Sequence, residues 1–150
     1  MGMTAQIPAD YSNVKWFGKG IHENFWDRKT GAAVGLYELP ISEFIHNYVR
    51  PQENANRCDV RWASFTNEEC KGLYISGGEP LNISAWPYSL EDLETATHIN
   101  ELPERDFITI NIDHKQEGVG GDDSWGADVH KEYQLPKGIS YKYSFKIHIL

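Results

Sequence analysis

The chain has 150 residues, a length typical of one domain, and its mean hydropathy is −0.55. Lys and Arg number 14 against 22 Asp and Glu, and the net charge of −8 would repel nucleic acid, which is therefore not expected as a partner. No stretch approaches the ~20 consecutive apolar residues of a membrane span, so a membrane is not expected as a partner either.

The composition favours β-structure over a helical bundle. Five Trp, eight Tyr and six Phe make up 13% of the residues, and 13 Gly and seven Pro interrupt the chain often. Aromatic rings favour strands, and ring-rich runs separated by turn residues are typical of antiparallel sheets. We therefore predict an all-β fold built from antiparallel strands.

At least six strands are predicted. Two carry a clear period of two: Phe107–Asp113 places three Ile on one face, and residues 141–149 alternate aromatic or Ile side chains with polar ones, as in a half-buried strand. The other runs are rich in β-formers and are followed by Gly, Pro or Asn. In chain order, the predicted strands are residues 14–17, 58–66, 73–76, 81–86, 107–113 and 141–149.

Helical signals are few. Ser89 can cap a short helix over residues 89–97, with Glu91 and Asp92 in the first turn. Residues 40–45 are compatible with another turn or two of helix. The segment 117–128, rich in Gly, Asp and Ser between two strands, is predicted to be a long surface loop.

The two cysteines, Cys58 and Cys70, lack a Cys-x-x-Cys or His-rich context, which argues against a zinc site and a disulfide framework. We expect reduced thiols in a cytoplasmic protein. Residues 1–6 show no basic segment before an apolar run, so no targeting signal is predicted. If the chain is part of a longer protein, its first residues say nothing about the parent's compartment.

The loop 118–126, which reads GVGGDDSWG, is the most informative stretch. Its glycines allow positive φ, and its Asp and Ser side chains can bond nearby amides, so the loop can be ordered and can present one indole, that of Trp125. A flat ring at a polar loop tip suits stacking on the apolar face of a pyranose. The alternative is that Trp125 folds back onto the body of the domain, because Trp is highly buried on average.

The acidic residues of this loop raise a second alternative, a calcium site formed by Asp122, Asp123 and Asp128. Their spacing does not match an EF-hand loop, which places acidic residues at positions 1, 3 and 5 and Glu at 12. Turn formation is the favoured role of these aspartates.

Two further clusters stand out, WFGKGIHENFWDR over residues 16–28 and YVRPQENANR over residues 48–57. His22 and Glu23 are adjacent and face opposite ways in an extended segment, so they cannot share one metal ion. Loop organisation is the favoured role of the first cluster, including an Asp27–Arg28 charge network. The alternative for the second cluster is an ordinary loop with surface ion pairs, which contribute only ~0 to 1 kcal/mol each.

Together, in this order, these three clusters resemble the C-terminal part of family 2 β-galactosidases, the lactose-cleaving enzymes of bacteria. The family pattern runs Trp-Tyr/Leu-Gly-x-Gly-Pro-x-Glu-Asn-Tyr-x-Asp-Arg, then Tyr-Val-x-Pro-x-Glu-Asn-Gly-x-Arg, then Gly-Gly-Asp-Asp-Ser-Trp. The likeness extends from about residue 7 to the last strand. Two departures are visible: Ile21 stands where the family usually has Pro, and Ala55 where it usually has Gly. If that Gly serves a positive φ, Ala55 must adopt a strained conformation or a different turn.

The resemblance implies a fold for this chain and places catalysis in another domain of the parent enzyme. Residues 1–150 are expected to be the C-terminal portion of the last domain, an antiparallel β-sandwich within a galactose-mutarotase-like supersandwich. The catalytic barrel of the family, with its acid/base and nucleophile glutamates, has no counterpart here, so no catalytic residue is nominated. The implied substrate-binding residue is Trp125, which stacks on the aglycone or acceptor sugar. The supporting loop comprises Gly120, Gly121, Asp122, Asp123 and Ser124.

The expected function is therefore that of the C-terminal domain of a β-galactosidase, which hydrolyses terminal β-D-galactosides such as lactose. The alternatives are a separate small subunit or carbohydrate-binding accessory module without catalysis of its own and, from fold analogy alone, an aldose-epimerase-like enzyme. The expected partners are the rest of the β-galactosidase chain, a galactoside or acceptor sugar, and further copies of the parent in a homo-oligomer. No cofactor is expected in this chain, and the resemblance implies Mg and Na bound mainly by other domains of the parent.

Overall fold

A computed structural model of the chain describes residues 1–120, 123 and 125–150. The regular structure of this part is mostly antiparallel β-sheet, with two short helices, α1 (Ile41–Phe44) and α2 (Leu90–Thr95), and two 3-10 turns, Ile99–Glu101 and Lys131–Tyr133. The strands are β1 (Gly2–Pro8), β2 (Asn13–Gly20), β3 (Ala33–Pro40), β4 (Arg57–Thr66), β5 (Gly72–Trp86), β6 (Phe107–Asp113) and β7 (Phe145–Ile149).

These strands form one sheet in the order β1-β6-β5-β4-β2-β3, and β7 also pairs with β5. One edge of β5 holds two partners in succession, β7 along residues 73–77 and β6 along residues 82–86, while β4 runs along its other edge. Each of these pairings is antiparallel. The predicted all-β, antiparallel class is confirmed, and the open sheet is consistent with an all-β sandwich.

The predicted strands are found with altered bounds. The runs predicted at 73–76 and 81–86 belong to one strand, β5, since the Gly77–Gly78 and Pro80 region between them remains extended along an irregular stretch of the β4 pairing. The last strand was predicted from residue 141, but it begins at Phe145. Tyr143 is instead engaged with the end of β6: its hydroxyl donates to the carbonyl oxygen of Ile112 at 3.2 Å, and its ring stacks on His114.

Sequence patterns did not indicate β1 and β3, which lie at the two ends of the sheet. An end strand has one neighbour and is only partly covered, so its side chains need not alternate sharply in polarity. In β3 a glycine and the exposed Val34 and Leu36 blur the pattern, and in β1 only Ile7 is fully buried.

One face of the sheet carries the core. Ile108, Ile110 and Ile112 of β6 are each at most 1% exposed, as their period of two predicted. The same buried cluster continues through β5 and β4 to Val14 and Trp16 of β2, where Phe44 of α1 packs edge-on against the Trp16 ring. The buried cluster thus runs from Ile7 of β1 to β2, and the partly buried Tyr37 and Leu39 of β3 pack against it.

The predicted helix at 89–97 is confirmed as α2, which spans Leu90–Thr95. Ser89 caps it: its hydroxyl accepts the Asp92 N–H, and the Asp92 carboxylate accepts the Ser89 N–H. The second helical signal, at 40–45, corresponds to α1. Within the described part of the chain, neither helix has the length and apolar character needed to cross a membrane.

Candidate functional site

The first two sequence clusters meet through buried asparagines. The side-chain oxygen of Asn24 accepts the N–H of Cys58 at 2.8 Å, and the side-chain amide of Asn56 donates to the carbonyl oxygen of Asn24 at 2.7 Å. Asn24 and Asn56 are only 2% and 1% exposed. Buried amides of this kind hold two loops in one relative position because each lost bond would leave a polar group without water.

Glu23 joins the same two clusters from the other side. Its carboxylate accepts the Tyr48 hydroxyl and, at 2.9 Å, the N–H of Ala55. Burial and the neighbouring Glu23 raise the pKa of Tyr48, so its hydroxyl stays protonated and donates this bond. Glu23 thus organises the loop, the role favoured for its cluster.

Ala55 adopts the strained conformation rather than a different turn. Its φ is +64°, in the left-handed region that disfavours a side chain, and the residue is fully buried. This is the outcome expected if a glycine at this position serves a positive φ. The bond from Ala55 N–H to Glu23 is among the contacts that hold this conformation.

Arg57 is buried beneath the cluster. Its Nε donates to the carbonyl oxygen of Ile21 at 3.0 Å and its Nη2 to that of Phe44 at 3.1 Å, while the guanidinium carbon lies 4.2 Å from the Phe44 ring centre. Burial lowers the pKa of Arg57 to about 10. Arg57 therefore supports the core of the loops, and the surface-ion-pair alternative does not describe this residue.

A cleft of about 770 Å³ opens where loops of all three clusters approach the β1–β6 end of the sheet. Burial raises the pKa of both Glu53 and Asp113 in this cleft, and the negative charge of Asp113 raises the pKa of Glu53 further. Its lining combines these acids with rings, amides and one guanidinium. Among the lining residues are Phe25, Arg28, Tyr48, Glu53, Trp86, Asn111, Asp113, Gln116 and Val119.

The loop of the third cluster lies against the first. The N–H of Gly120 donates to Oδ2 of Asp27 at 2.6 Å, and the N–H of Gly118 donates to the carbonyl oxygen of Tyr133 at 2.9 Å. The expected Asp27–Arg28 pair does not occur among the ion pairs of the described residues; the Arg28 guanidinium lies over the Phe25 ring instead. Asp27 bonds instead to the loop that carries Trp125.

The glycines of this loop differ in their roles. Positive φ was expected along the loop, and Gly126 has it, at +103°. Gly118 and Gly120 do not; a Cβ at either would lie 3.0 Å from Oδ2 of Asp27. These two glycines therefore allow a close approach to the carboxylate, which sequence alone did not distinguish from a turn requirement.

Trp125 is 91% exposed and does not fold back onto the sheet. Oδ1 of Asp123 accepts its N–H at 2.8 Å and that of Ala127 at 3.3 Å, so Asp123 orders the turn around the indole as expected of an Asp in a loop. Of the other named loop residues, Gly120 is bound by Asp27, while Gly121, Asp122 and Ser124 lie outside the described residues.

Residues 1–120, 123 and 125–150 contain no group of three His, Cys, Asp or Glu side chains placed to hold one ion. The calcium alternative includes Asp122 and so lies partly outside the described residues. Both cysteines are free thiols, as predicted, and burial raises the pKa of Cys58 to about 12.

The roles of two residues that organise the site were not predicted from sequence. Asp27 contacts a loop 93 positions away, and Arg57 stood in what looked like an exposed polar turn. For Asp27 the available signal was the alternation of glycines at 118 and 120, which marks a backbone that passes close to another group.

Comparison with known proteins settles the family. Residues 1–147 match the family described as "Beta galactosidase small chain". The chain belongs to this family. It is 42% identical over 147 residues to a protein named "Beta-galactosidase" from Priestia megaterium, and 38% identical over 146 residues to one of the same name from Halalkalibacterium halodurans. It is also 37% identical over 138 residues to "Beta-galactosidase BgaC" from Bifidobacterium adolescentis.

These alignments cover 98%, 97% and 90% of this chain but only 14%, 14% and 13% of the relatives. The β-galactosidase small-chain segment thus spans about one seventh of the length of the curated relatives it matches. The resemblance inferred from the three clusters is confirmed, and it indicates a C-terminal domain of a β-galactosidase.

Proposed function

We propose that this segment is the C-terminal portion of the last β-sandwich domain of a β-galactosidase that hydrolyses terminal β-D-galactosides such as lactose, and that it contributes Trp125 to sugar recognition. The observation that carries the second part is the exposure of the indole, 91%, on a turn ordered by Asp123. An exposed, oriented ring offers the flat apolar surface that stacks on a pyranose.

In this proposal the ring contacts the acceptor or aglycone sugar, while the galactose subsite and the catalytic carboxylates belong to the barrel of the same enzyme. Retaining glycosidases place two carboxyl groups ~5–5.5 Å apart around the scissile bond, and we assign that pair to the remainder of the parent. The segment alone is then expected to show no galactosidase activity. Activity that persists through repeated purification of the isolated chain would contradict this assignment.

The parent is further proposed to be a cytoplasmic homo-oligomer. The magnesium and sodium ions implied by the resemblance would be held mainly by its other domains, and no step is assigned to them in this segment.

Replacing Trp125 in the complete enzyme tests the stacking role. Trp125→Ala should lower kcat/KM for lactose by about 5- to 150-fold, equivalent to ~1–3 kcal/mol, because a buried aromatic contact with the acceptor is lost. An aryl galactoside should be affected less, since its leaving group makes its own contacts. Trp125→Phe, which keeps a flat ring, should retain part of the lactose activity, and Phe17→Ala, which removes an exposed ring from β2, serves as control.

Transfer of galactose to glucose should fall together with lactose cleavage, because both require the acceptor platform. Equal losses on lactose and on the aryl galactoside would mean that Trp125 supports the fold or the galactose subsite, and the acceptor role would be abandoned.

The second candidate is a separate small subunit or a carbohydrate-binding accessory module that acts without catalysis of its own. The words "small chain" in the family description favour it. The reading frame upstream of the gene distinguishes the two: an in-frame barrel identifies a segment of one chain, and a stop codon identifies a subunit.

A further inference from the structure

The loop that carries Trp125 is held at two points by neighbouring residues of the first cluster. On the N-terminal side of the indole, Oδ2 of Asp27 accepts the Gly120 N–H at 2.6 Å. On the C-terminal side, the Trp26 ring meets the Tyr133 ring edge-on at 6.3 Å, and Nε1 of Trp26 donates to the carbonyl oxygen of Glu132 at 3.4 Å. Trp125 lies in the sequence between these two points.

The support is itself fixed to the sheet. Nζ of Lys29 lies 4.3 Å from the centre of the Trp26 ring and forms an ion pair with Asp59 of β4 at 2.9 Å. The segment carrying Trp26 and Asp27 is therefore tied to a central strand rather than to another loop. Contacts from this segment therefore hold the Trp125 loop in a defined position relative to the sheet.

Asp27 has the shorter and more directional of the two contacts. A hydrogen bond from an amide to a carboxylate is stronger than one between neutral groups. The backbone at Gly118 and Gly120 runs so close to this carboxylate that a Cβ at either position would lie 3.0 Å from its Oδ2. Glycine at positions 118 and 120 therefore allows the backbone to pass close to Asp27, and the bond to Gly120 holds it there.

We propose that Asp27 is a positioning residue for Trp125: it fixes the backbone at Gly120 and so preorganises the indole for the acceptor sugar. This inference rests on the proposed acceptor role of Trp125. A glycine-rich loop released from Asp27 must be ordered when sugar binds, and that entropy is subtracted from the binding free energy. Asp27 makes no contact with substrate in this scheme and acts through the loop alone.

The experiment is a double-mutant cycle in the complete enzyme. Asp27→Ala should weaken acceptor use, measured as KM for lactose and as the fraction of galactose transferred to glucose, by about 3- to 10-fold, the range of one net hydrogen bond. Turnover of the aryl galactoside at saturation should be unchanged. In a Trp125→Ala background, Asp27→Ala should add no further loss of acceptor use. The matched control is Asp128→Ala, which removes an exposed carboxylate from the same loop.

A second readout is independent of activity. Hydrogen exchange of the amides in a peptide covering residues 117–126 should be faster in Asp27→Ala, because the Gly120 N–H loses its acceptor. If Asp27→Ala does not fold, Asp27→Asn and Gly120→Ala perturb the same contact more mildly, the latter by crowding Oδ2 at 3.0 Å. Both should reproduce the loss of acceptor use in smaller measure.

The outcomes separate the two proposals. If Trp125→Ala impairs acceptor use and Asp27→Ala neither impairs it nor speeds exchange, the positioning role is wrong and the role of Trp125 stands. Additive losses in the double mutant would show that Asp27 acts by another route, which also overturns the inference. If Trp125→Ala leaves acceptor use unchanged, the proposed function itself fails, and faster exchange in Asp27→Ala would then report a loop contact without a role in sugar binding.

Discussion

Asn24 and Asn56 are joined in both directions: the N–H of Asn24 donates to the carbonyl oxygen of Asn56 at 2.8 Å, and the Asn56 amide donates to the carbonyl oxygen of Asn24 at 2.7 Å. The Asn24 side chain also accepts the N–H of Cys58. This arrangement locks the first two clusters together below the surface, where a missing partner is not replaced by water.

Asn24→Ala is therefore expected to be destabilising. It leaves the buried N–H of Cys58 without an acceptor, which costs about 1–3 kcal/mol in the free energy of unfolding. The comparison variant is Asn100→Ala, in the exposed 3-10 turn, which should change stability by less than about 0.5 kcal/mol. Urea unfolding of both variants measures the difference. Equal midpoints for wild type and Asn24→Ala would show that the two clusters are not held together by this bond.

A second prediction concerns Ala55, which is fully buried with φ of +64°. Ala55→Gly relieves about 1–2 kcal/mol of left-handed strain. Against this stand the loss of a buried methyl, ~0.8 kcal/mol, and the greater entropy of an unfolded glycine, ~0.5–1 kcal/mol. The terms nearly cancel, so the free energy of unfolding should change by less than about 1 kcal/mol.

Ala63 supplies the matched control because it is equally buried, in strand β4, and its φ is not positive. Ala63→Gly loses the same methyl and gains the same unfolded-state entropy without relief of strain, so it should cost about 1–2 kcal/mol. Thermal or urea unfolding compares the pair. A similar loss of stability in the two variants would mean that Ala55 is not strained.

The sheet and the Trp125 loop could be predicted from sequence to different degrees. The period of two in β6 was sufficient to predict which of its residues face the core, since Ile108, Ile110 and Ile112 are all buried. The end strands β1 and β3 were missed because a strand covered on one side imposes little pattern on its residues. The Ser89 cap of α2 was predicted because the signals for a helix start are local; the reciprocal bond from Asp92, which completes a capping box, was seen only in the structure.

Contacts within the candidate site depend on tertiary neighbours. The positive φ of Ala55 was one of the two outcomes expected from sequence, the other being a different turn. The bond between Asp27 and Gly120 could not be predicted, because the two residues are 93 positions apart and neither local sequence indicates the other as its partner. Sequence therefore indicated which loops matter, whereas the contact that holds the Trp125 loop required the fold.

A third prediction concerns β7, which within the described part of the chain pairs only with β5. Ile147 and Ile149 of β7 face the same way as Ile75 and Leu73 opposite them on β5, yet they are 44% and 86% exposed. An apolar face beside a strand edge favours association with another chain. The isolated segment should accordingly self-associate, with a sedimentation coefficient that rises with concentration.

Ile149→Lys should shift this association to higher concentration, because a charge on the exposed face must be desolvated on contact. Val49→Lys is the control: Val49 is 93% exposed but belongs to the loop between α1 and β4 rather than to a strand. A segment that remains monomeric over a wide concentration range, or equal effects of the two substitutions, would rule out β7 as the associating surface.

The last prediction concerns acid stability. The Asp92 carboxylate accepts two bonds from Arg105, from Nε at 3.0 Å and from Nη2 at 2.6 Å, and it also caps α2. Bonding to Arg105 holds the pKa of Asp92 well below its usual range. A lowered folded-state pKa stabilises the protein above the unfolded-state value of about 4, and the contribution is lost as pH falls through the folded-state value.

Arg105→Met should thus lower the free energy of unfolding at pH 7 by about 0.5–1.5 kcal/mol, a modest value because the Arg105 side chain is 42% exposed and screened by solvent. The difference from wild type should shrink below about pH 4 and vanish once Asp92 is protonated in both proteins. Lys71→Met breaks the more exposed pair with Glu69, whose side chains are 66% and 70% exposed, and should cost less than about 0.5 kcal/mol. Urea unfolding between pH 2 and 7 measures these differences. A deficit in Arg105→Met that stays constant down to the lowest pH would show that Arg105 stabilises the protein through packing rather than through the charge of Asp92.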